Sequence, residues 1–334
     1  MPLTHCILHK LERPVPGTNI QLQLRDEENS CSDGIFSLFE QLKHSLLRSS
    51  QKRYGQFDPQ RSDYVLPGLL QDQQAGNSSF TSLSQKVVQQ LQGLLEDIDE
   101  VFSIYLLFAI ERVMEQDYLY ILWLDPMGAN QINTDLEVQH TQYIDTQKLS
   151  YALKVHINEW AETDSLKYLT LLTSRGNQDV TQAFSNWVGF TESVNLVEDT
   201  KEFLAIVDQY TDELPEDKLK ETKAKILDYC IDQDRVGSPV IFEELSQQVN
   251  ESSPEDFSNF ITAQQEQPKT EIFTDRSSLK RYMRFFGRDK NMSISFSADV
   301  IGDHIEYDEQ SGTLVIKQIP KSLRKQLSRY QNSD

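Results

Sequence analysis

Two runs near the end of the chain collect residue types that can hold a polyanion. Arg276, Lys280, Arg281, Arg284, Arg288 and Lys290 form the first, and Lys321, Arg324, Lys325 and Arg329 the second. Guanidinium and ammonium groups donate charge-assisted hydrogen bonds to phosphate oxygens. The pattern of the first run predicts a helix over about 276–286. At about 100° per residue, Arg276, Lys280, Arg284, Arg288 and Arg281 fall between about 0° and 140°. Leu279, Met283, Phe286 and Tyr282 then fall between about 240° and 340°, on a core-facing side. Phe285 lies between the two faces, and Arg288 lies past the expected helix end. In the second run, Leu323, Leu327 and Tyr330 share one side of a helix, and Lys321, Arg324, Lys325 and Arg329 the other.

Signatures of catalysis are missing from the sequence. It contains no phosphate-binding glycine loop of the GxxxxGK type, no GxGxxG, no GxSxG and no HExxH. A nuclease pattern of acid-x-Lys fails at Lys317, because Val315 stands two residues before it. His5, Cys6 and His9 lie close together. On a strand, His5 and His9 share one face and Cys6 points away, which favours an ordinary strand surface over a metal site. Asp135 and Glu137 share a strand face, and without a third partner they read as solvated. The chain is expected to be no enzyme and to carry no cofactor or metal.

The cationic runs stand out because the rest of the chain is acidic. The 334 residues hold 52 acids against 32 bases, a formal charge of −20. Residues 276–334 hold eleven bases and seven acids (+4), so residues 1–275 are −24. Asymmetry of this kind hints at polyanion contact. Adjacent cations repel one another, so either phosphate or an acidic surface of the same protein should offset them. The second option is a real rival, since residues 192–234 hold thirteen acids against five lysines.

Composition bounds the scaffold that must position these groups. Hydrophobic residues make up 38% and aromatics 10%, enough for a packed core. Cys6, Cys31 and Cys230 are odd in number and widely spaced, so neither a disulfide framework nor a CxxC zinc site can be written. The opening Met-Pro-Leu-Thr-His-Cys does not read as a signal peptide. The longest apolar run, Ile104 to Ile110, is seven residues, against about 20 for a membrane helix. A cytoplasmic protein is expected.

Alternation of apolar and polar residues predicts strands at 19–25 and 152–160. Density of branched and aromatic residues predicts them at 101–113 and 118–124, and 4–11 and 136–144 also read as strands. Helical spacing appears at 34–48 and 80–96, with a loop over 55–79 between them. From about 179 the texture becomes helical and acidic, over 179–188, 200–210, 215–233 and 242–249. Three short strands, at 292–297, 304–308 and 313–319, and a helix after Pro320 follow the basic helix. The expected class is α+β: an N-terminal, mainly antiparallel sheet with helices (residues 1–175), then a helical middle and a small C-terminal α+β domain with basic helices (176–334).

Several segments resemble landmarks of a known family. They are Asp275-Arg276-Ser277-Ser278-Leu279, Phe285-Phe286-Gly287, Met292-Ser293-Ile294-Ser295-Phe296, Gly312-Thr313-Leu314-Val315-Ile316-Lys317, Pro320, and Leu323-Arg324-Lys325-Gln326-Leu327. Upstream stand Tyr54-Gly55-Gln56-Phe57, His140-Thr141-Gln142-Tyr143-Ile144-Asp145, Ile157-Asn158-Glu159-Trp160 and Tyr168-Leu169-Thr170-Leu171-Leu172. In this order they resemble the bacterial nucleoid-associated protein family of the YejK/NdpA type, over nearly the whole chain. The resemblance implies a cytoplasmic, nucleoid-located DNA-binding protein without established catalysis. It supplies no phosphate-contacting residues. The chain departs from the family at Gly287-Arg288-Asp289-Lys290-Asn291, where a short glycine-rich turn is common, and so gains two cations.

The expected partner is double-stranded DNA, bound with low sequence specificity through phosphates. RNA, other nucleoid proteins and a second copy of the chain are further candidates, and a membrane is not. The alternative is an acidic protein–protein adaptor that reaches the nucleoid through a basic partner. An undetected enzyme is a third reading, which a deep pocket of converging carboxylates or histidines would favour.

Overall fold

The protein is described by a computed structural model over residues 3–60, 65–161, 165–174, 176–265, 268–297, 300–301 and 304–331. Asp299, Asp303 and Asp334, counted above among the acids, lie outside these residues, as does 61–64 of the expected loop. The class is α+β, as expected. The chain divides into two compact units.

The first unit comprises residues 1–199, 232–241 and 271–273. Its elements begin with β1 (Leu3–Arg13), β2 (Gln21–Gln23), α1 (Asp33–Arg48), β3 (Lys52–Phe57), α2 (Val65–Gln74) and α3 (Phe80–Leu95). They continue with β4 (Phe102–Val113), β5 (Gln116–Leu124), β6 (Pro126–Ile132), β7 (Val138–Ile144), β8 (Ala152–His156), α4 (Ile157–Ala161), β9 (Leu169–Leu172), α5 (Gln178–Val188) and β10 (Phe190–Glu192). Eight strands form one antiparallel sheet in the order β10-β3-β9-β8-β5-β4-β1-β2.

Both faces of this sheet are covered, which explains why β4 and β5 read as nearly continuous apolar runs. Ile104, Leu106, Phe108 and Ile110 point to one side, against Leu83, Val87 and Leu91 of α3 and Phe184 and Trp187 of α5. Leu107 and Ala109 point to the other, against Phe39, Leu42 and Leu46 of α1. Among the described residues, β6 and β7 pair only with each other.

Three expectations fail here. The loop over 55–79 contains the end of β3 and the whole of α2. β3 escapes pattern reading because its buried positions include Lys52, whose ammonium donates to Asp234 Oδ1 (2.8 Å), Asp234 O (3.0 Å) and Leu47 O (2.6 Å). Its Gly55 is required by close approach, since a Cβ there would run into the Thr191 carbonyl oxygen of β10. α2 tolerates Pro67 because it lies in the first turn, where no intrahelical partner is lost. The strand expected to reach Trp160 stops at His156, and α4 follows. Asp135 and Glu137 are not on a strand. They belong to the β6–β7 turn, and their N–H groups donate to Asn133 Oδ1 at 3.0 and 2.9 Å.

His9 is not a strand-surface residue either. It is 1% exposed, its Nε2 lies 2.9 Å from Ser84 Oγ, and its Nδ1 accepts from the Arg25 N–H at 3.2 Å. Burial, and then the Arg25 charge, push its pKa down from 6.5 to about 4. His5 instead pairs with Glu28 at 3.0 Å. No cluster of three metal-ligating side chains occurs among the described residues.

The second unit comprises residues 200–231, 242–270 and 274–334. Its helices are α6 (Leu196–Asp212) and α7 (Glu216–Val236), whose ends reach into the first unit, with α8 (Phe242–Val249) and α9 (Asp256–Gln264). The short pair β11 (Val240–Ile241) and β12 (Glu271–Ile272) belongs to the first unit. Phe203, Phe242 and Phe257 form the aromatic centre of the helical part. The chain then runs through α10 (Arg276–Tyr282), β13 (Arg284–Arg288), β14 (Ser293–Ser297), β15 (Ile305–Asp308), β16 (Thr313–Ile316) and α11 (Lys321–Gln331).

Candidate nucleic-acid interface

The expected basic helix over 276–286 is only half helix. α10 starts where the Asp275 carboxylate accepts from the Ser278 N–H at 2.6 Å. Its anchor is Leu279, fully buried, and the Tyr282 hydroxyl donates to Asp208 on α6. Burial and the Asp208 carboxylate hold that phenol in its protonated form. The helix stops at Met283. β13 then pairs with β14 in unbroken register from Arg284↔Ser297 to Arg288↔Ser293. The physical reason lies in Phe285 and Phe286, aromatic residues that favour a pleated strand. Phe285 is what fails to fit the helical wheel. Across the ladder it meets Phe296, with ring centroids 5.6 Å apart.

Re-pairing moves side chains. Arg276, Lys280 and Arg281 stay on the helix, where Arg276 is half-buried and the other two are exposed. Arg284 and Arg288 move to the strand, on the same face as Phe286. Phe286, expected in the core, is 68% exposed. The signal that would have placed it was the two-residue spacing Arg284-Phe286-Arg288, matched by Ser293, Ser295 and Ser297.

Gly287-Arg288-Asp289-Lys290-Asn291 forms the hairpin tip. Asp289 is the only acid between residues 276 and 297. Its carboxylate accepts from the N–H groups of Asn291 and Met292, both at 2.7 Å, and those bonds lower its pKa. The turn therefore occupies this acid, and Arg288 and Lys290 stand exposed beside it.

The last sixty residues are not uniformly basic. β15 and β16 form a second hairpin, and Glu306, Asp308 and Glu309 all lie on it, without a lysine or arginine from 304 to 316. Lys317 pairs with Glu306. α11 matches the expected last helix. Each of its residues from Lys321 to Tyr330 is exposed, including Leu323, Leu327 and Tyr330 on the apolar side.

Among the described residues, Lys280, Arg281, Arg284, Arg288, Lys290, Lys321, Arg324 and Lys325 are exposed and make no ion pair. The acids of 192–234 therefore do not neutralise these eight groups through ion pairs. The nearby Asp208 is taken by Lys223 at 2.6 Å and by Tyr282.

Fold and surface together define an acidic α+β protein with a cation-bearing C-terminal end. The family described as nucleoid-associated protein YejK matches residues 7–324. A nucleoid-associated protein of Pseudomonas syringae pv. tomato is 31% identical over 98% of this chain and 100% of its own length. Nucleoid-associated proteins of Pseudomonas fluorescens and Pseudomonas putida are also 31% identical, over 98% of this chain and 99% of theirs. The chain belongs to this nucleoid-associated protein family, which places it at the bacterial nucleoid. No helix among the described residues is long and apolar enough to cross a membrane.

Proposed function

We propose that this chain acts by binding and not by catalysis, and that it contacts DNA directly with little sequence preference. The contacts are phosphate contacts from the exposed cations of α10, β13, the hairpin tip and α11. One observation carries the reading: eight exposed bases without an ion-pair partner, in a chain that otherwise has acids to spare. Unpaired exposed cations have low desolvation cost and are free to replace counterions on a phosphate backbone. Phosphate contacts position a protein without reading bases, and no base-reading helix-turn-helix pattern is present in the sequence.

The rest of the surface is strongly negative and repels DNA, so binding should be local and sensitive to salt. Fluorescence anisotropy with a random-sequence duplex tests this. Wild type should bind, and replacing Lys280, Arg281, Arg284 and Arg288 with Ala should weaken binding. The slope of log K against log salt should also flatten, by about 0.9 for each phosphate no longer neutralised. Unchanged binding by that folded variant sinks the assignment. No binding by wild type, together with capture of a basic nucleoid protein, favours an adaptor instead.

A further inference from the structure

We infer that the outer face of the β13–β14 hairpin is a base-stacking platform for single-stranded nucleic acid, with Phe286 as the stacking residue. This rests on the phosphate-contact reading above and goes further, by naming a residue that touches bases. The hairpin has two distinct faces. Phe285, Ile294 and Phe296 share one, and Phe285 and Phe296 pack ring against ring there. Phe285 and Phe296 also line a mainly apolar groove of about 520 Å³ together with Ile301, Glu306, Tyr307 and Leu314. That face already supplies the hairpin's apolar contacts.

The opposite face should be polar, and all but one of its six positions are: Arg284, Arg288, Ser293, Ser295 and Ser297 surround Phe286. Phe286 stands directly across from Ser295 and is 68% exposed. Residues two apart on a strand lie roughly 7 Å apart on one face, so a cation flanks the ring on each side along the strand. Serine side chains opposite are too short to cover it.

Arg284 is positioned for this use. Arg284 Nε and Nη2 donate to Ser295 Oγ at 3.2 and 3.1 Å, which lays the guanidinium across the ladder beside Phe286. A guanidinium has five N–H donors, so donors remain for a phosphate. Asp289, the only acid between residues 276 and 297, is held by the turn. An aromatic face flanked by cations, with low neighbours and no free carboxylate on the hairpin's own strands, is what unpaired bases and their phosphates recognise. In a duplex the base faces are already stacked on each other, so a flat platform has no access to them.

The test uses the full chain with two fluorescein-labelled probes at one salt concentration, a 20-nucleotide oligo(dT) and a 20-base-pair duplex. Phe286→Ala should weaken oligo(dT) binding about tenfold and duplex binding less than twofold, on the usual strength of a base–aromatic stack. Phe286→Tyr should keep wild-type affinity for oligo(dT). Because the side chain is exposed, Phe286→Ala should keep the wild-type melting profile, which serves as the folding control. Equal losses for both probes, or no loss, overturn the platform. Wild type that binds duplex but not oligo(dT) also overturns it and leaves the phosphate reading intact. Wild type that binds neither overturns both.

Discussion

Basic residues serve opposite ends in the two units of this molecule. In the sheet unit several of them are structural. Arg13 is 2% exposed and reaches Glu96 Oε2 at 2.8 Å together with the backbone carbonyls of Thr18, Ile98 and Glu96. Lys43 joins Glu111 and Glu40 at 2.5 and 2.8 Å. Lys52 and Asp234 form a buried pair. In the C-terminal hairpins and helices, Lys280, Arg281, Arg284, Arg288, Lys290, Lys321, Arg324 and Lys325 stand exposed without an ion pair. A net charge of −20 hides this division. What matters for a polyanion is which cations are already paired, and the sequence does not state that.

The largest expected effect lies at the buried end of the comparison. Lys52→Ala removes the buried ammonium that meets the Asp234 carboxylate and should cost about 3–5 kcal/mol in urea unfolding. A loss below about 1 kcal/mol would mean the pair is not the structural element described. Next comes pH. His9 is held neutral in the folded protein, with its pKa lowered from 6.5 to about 4. The unfolded chain therefore takes up this proton first as pH falls. The stabilising contribution is complete above 6.5 and is lost between 6.5 and about 4. Thermal melts should show a drop over that window, and His9→Gln should make it shallower.

Smaller effects belong to the exposed end. Asp275→Ala removes the cap of α10 and should cost about 1 kcal/mol, read as faster amide exchange over 276–282. Arg281→Ala should change stability by less than about 0.5 kcal/mol. A larger loss would show that this cation has a structural partner after all.

Much of the scaffold was legible because its signals are local. The amphipathic pattern of α1 and the apolar runs of β4 and β5 follow from burial on one or two faces. β3 was not legible, because a buried lysine mimics a polar surface position until Asp234, far along the chain, is seen. The cation-bearing residues were legible by type, yet their support was not. α10 stops early because Phe285 finds Phe296 across a ladder, a pairing outside the reach of helical periodicity. His9 looked like surface for the same reason, since Ser84 lies 75 residues away.

The central claim concerns where charge sits and not how much there is. Two triple variants with the same net charge test it: Arg281, Arg284 and Arg288 replaced by Ala, and Lys86, Arg112 and Lys148, exposed cations of the sheet unit, replaced by Ala. Duplex affinity measured across a salt series should fall at least about tenfold for the first, with a flatter slope, and change less than about threefold for the second. Equal losses in the two variants would contradict the account, because net charge and not the C-terminal cations would then govern binding.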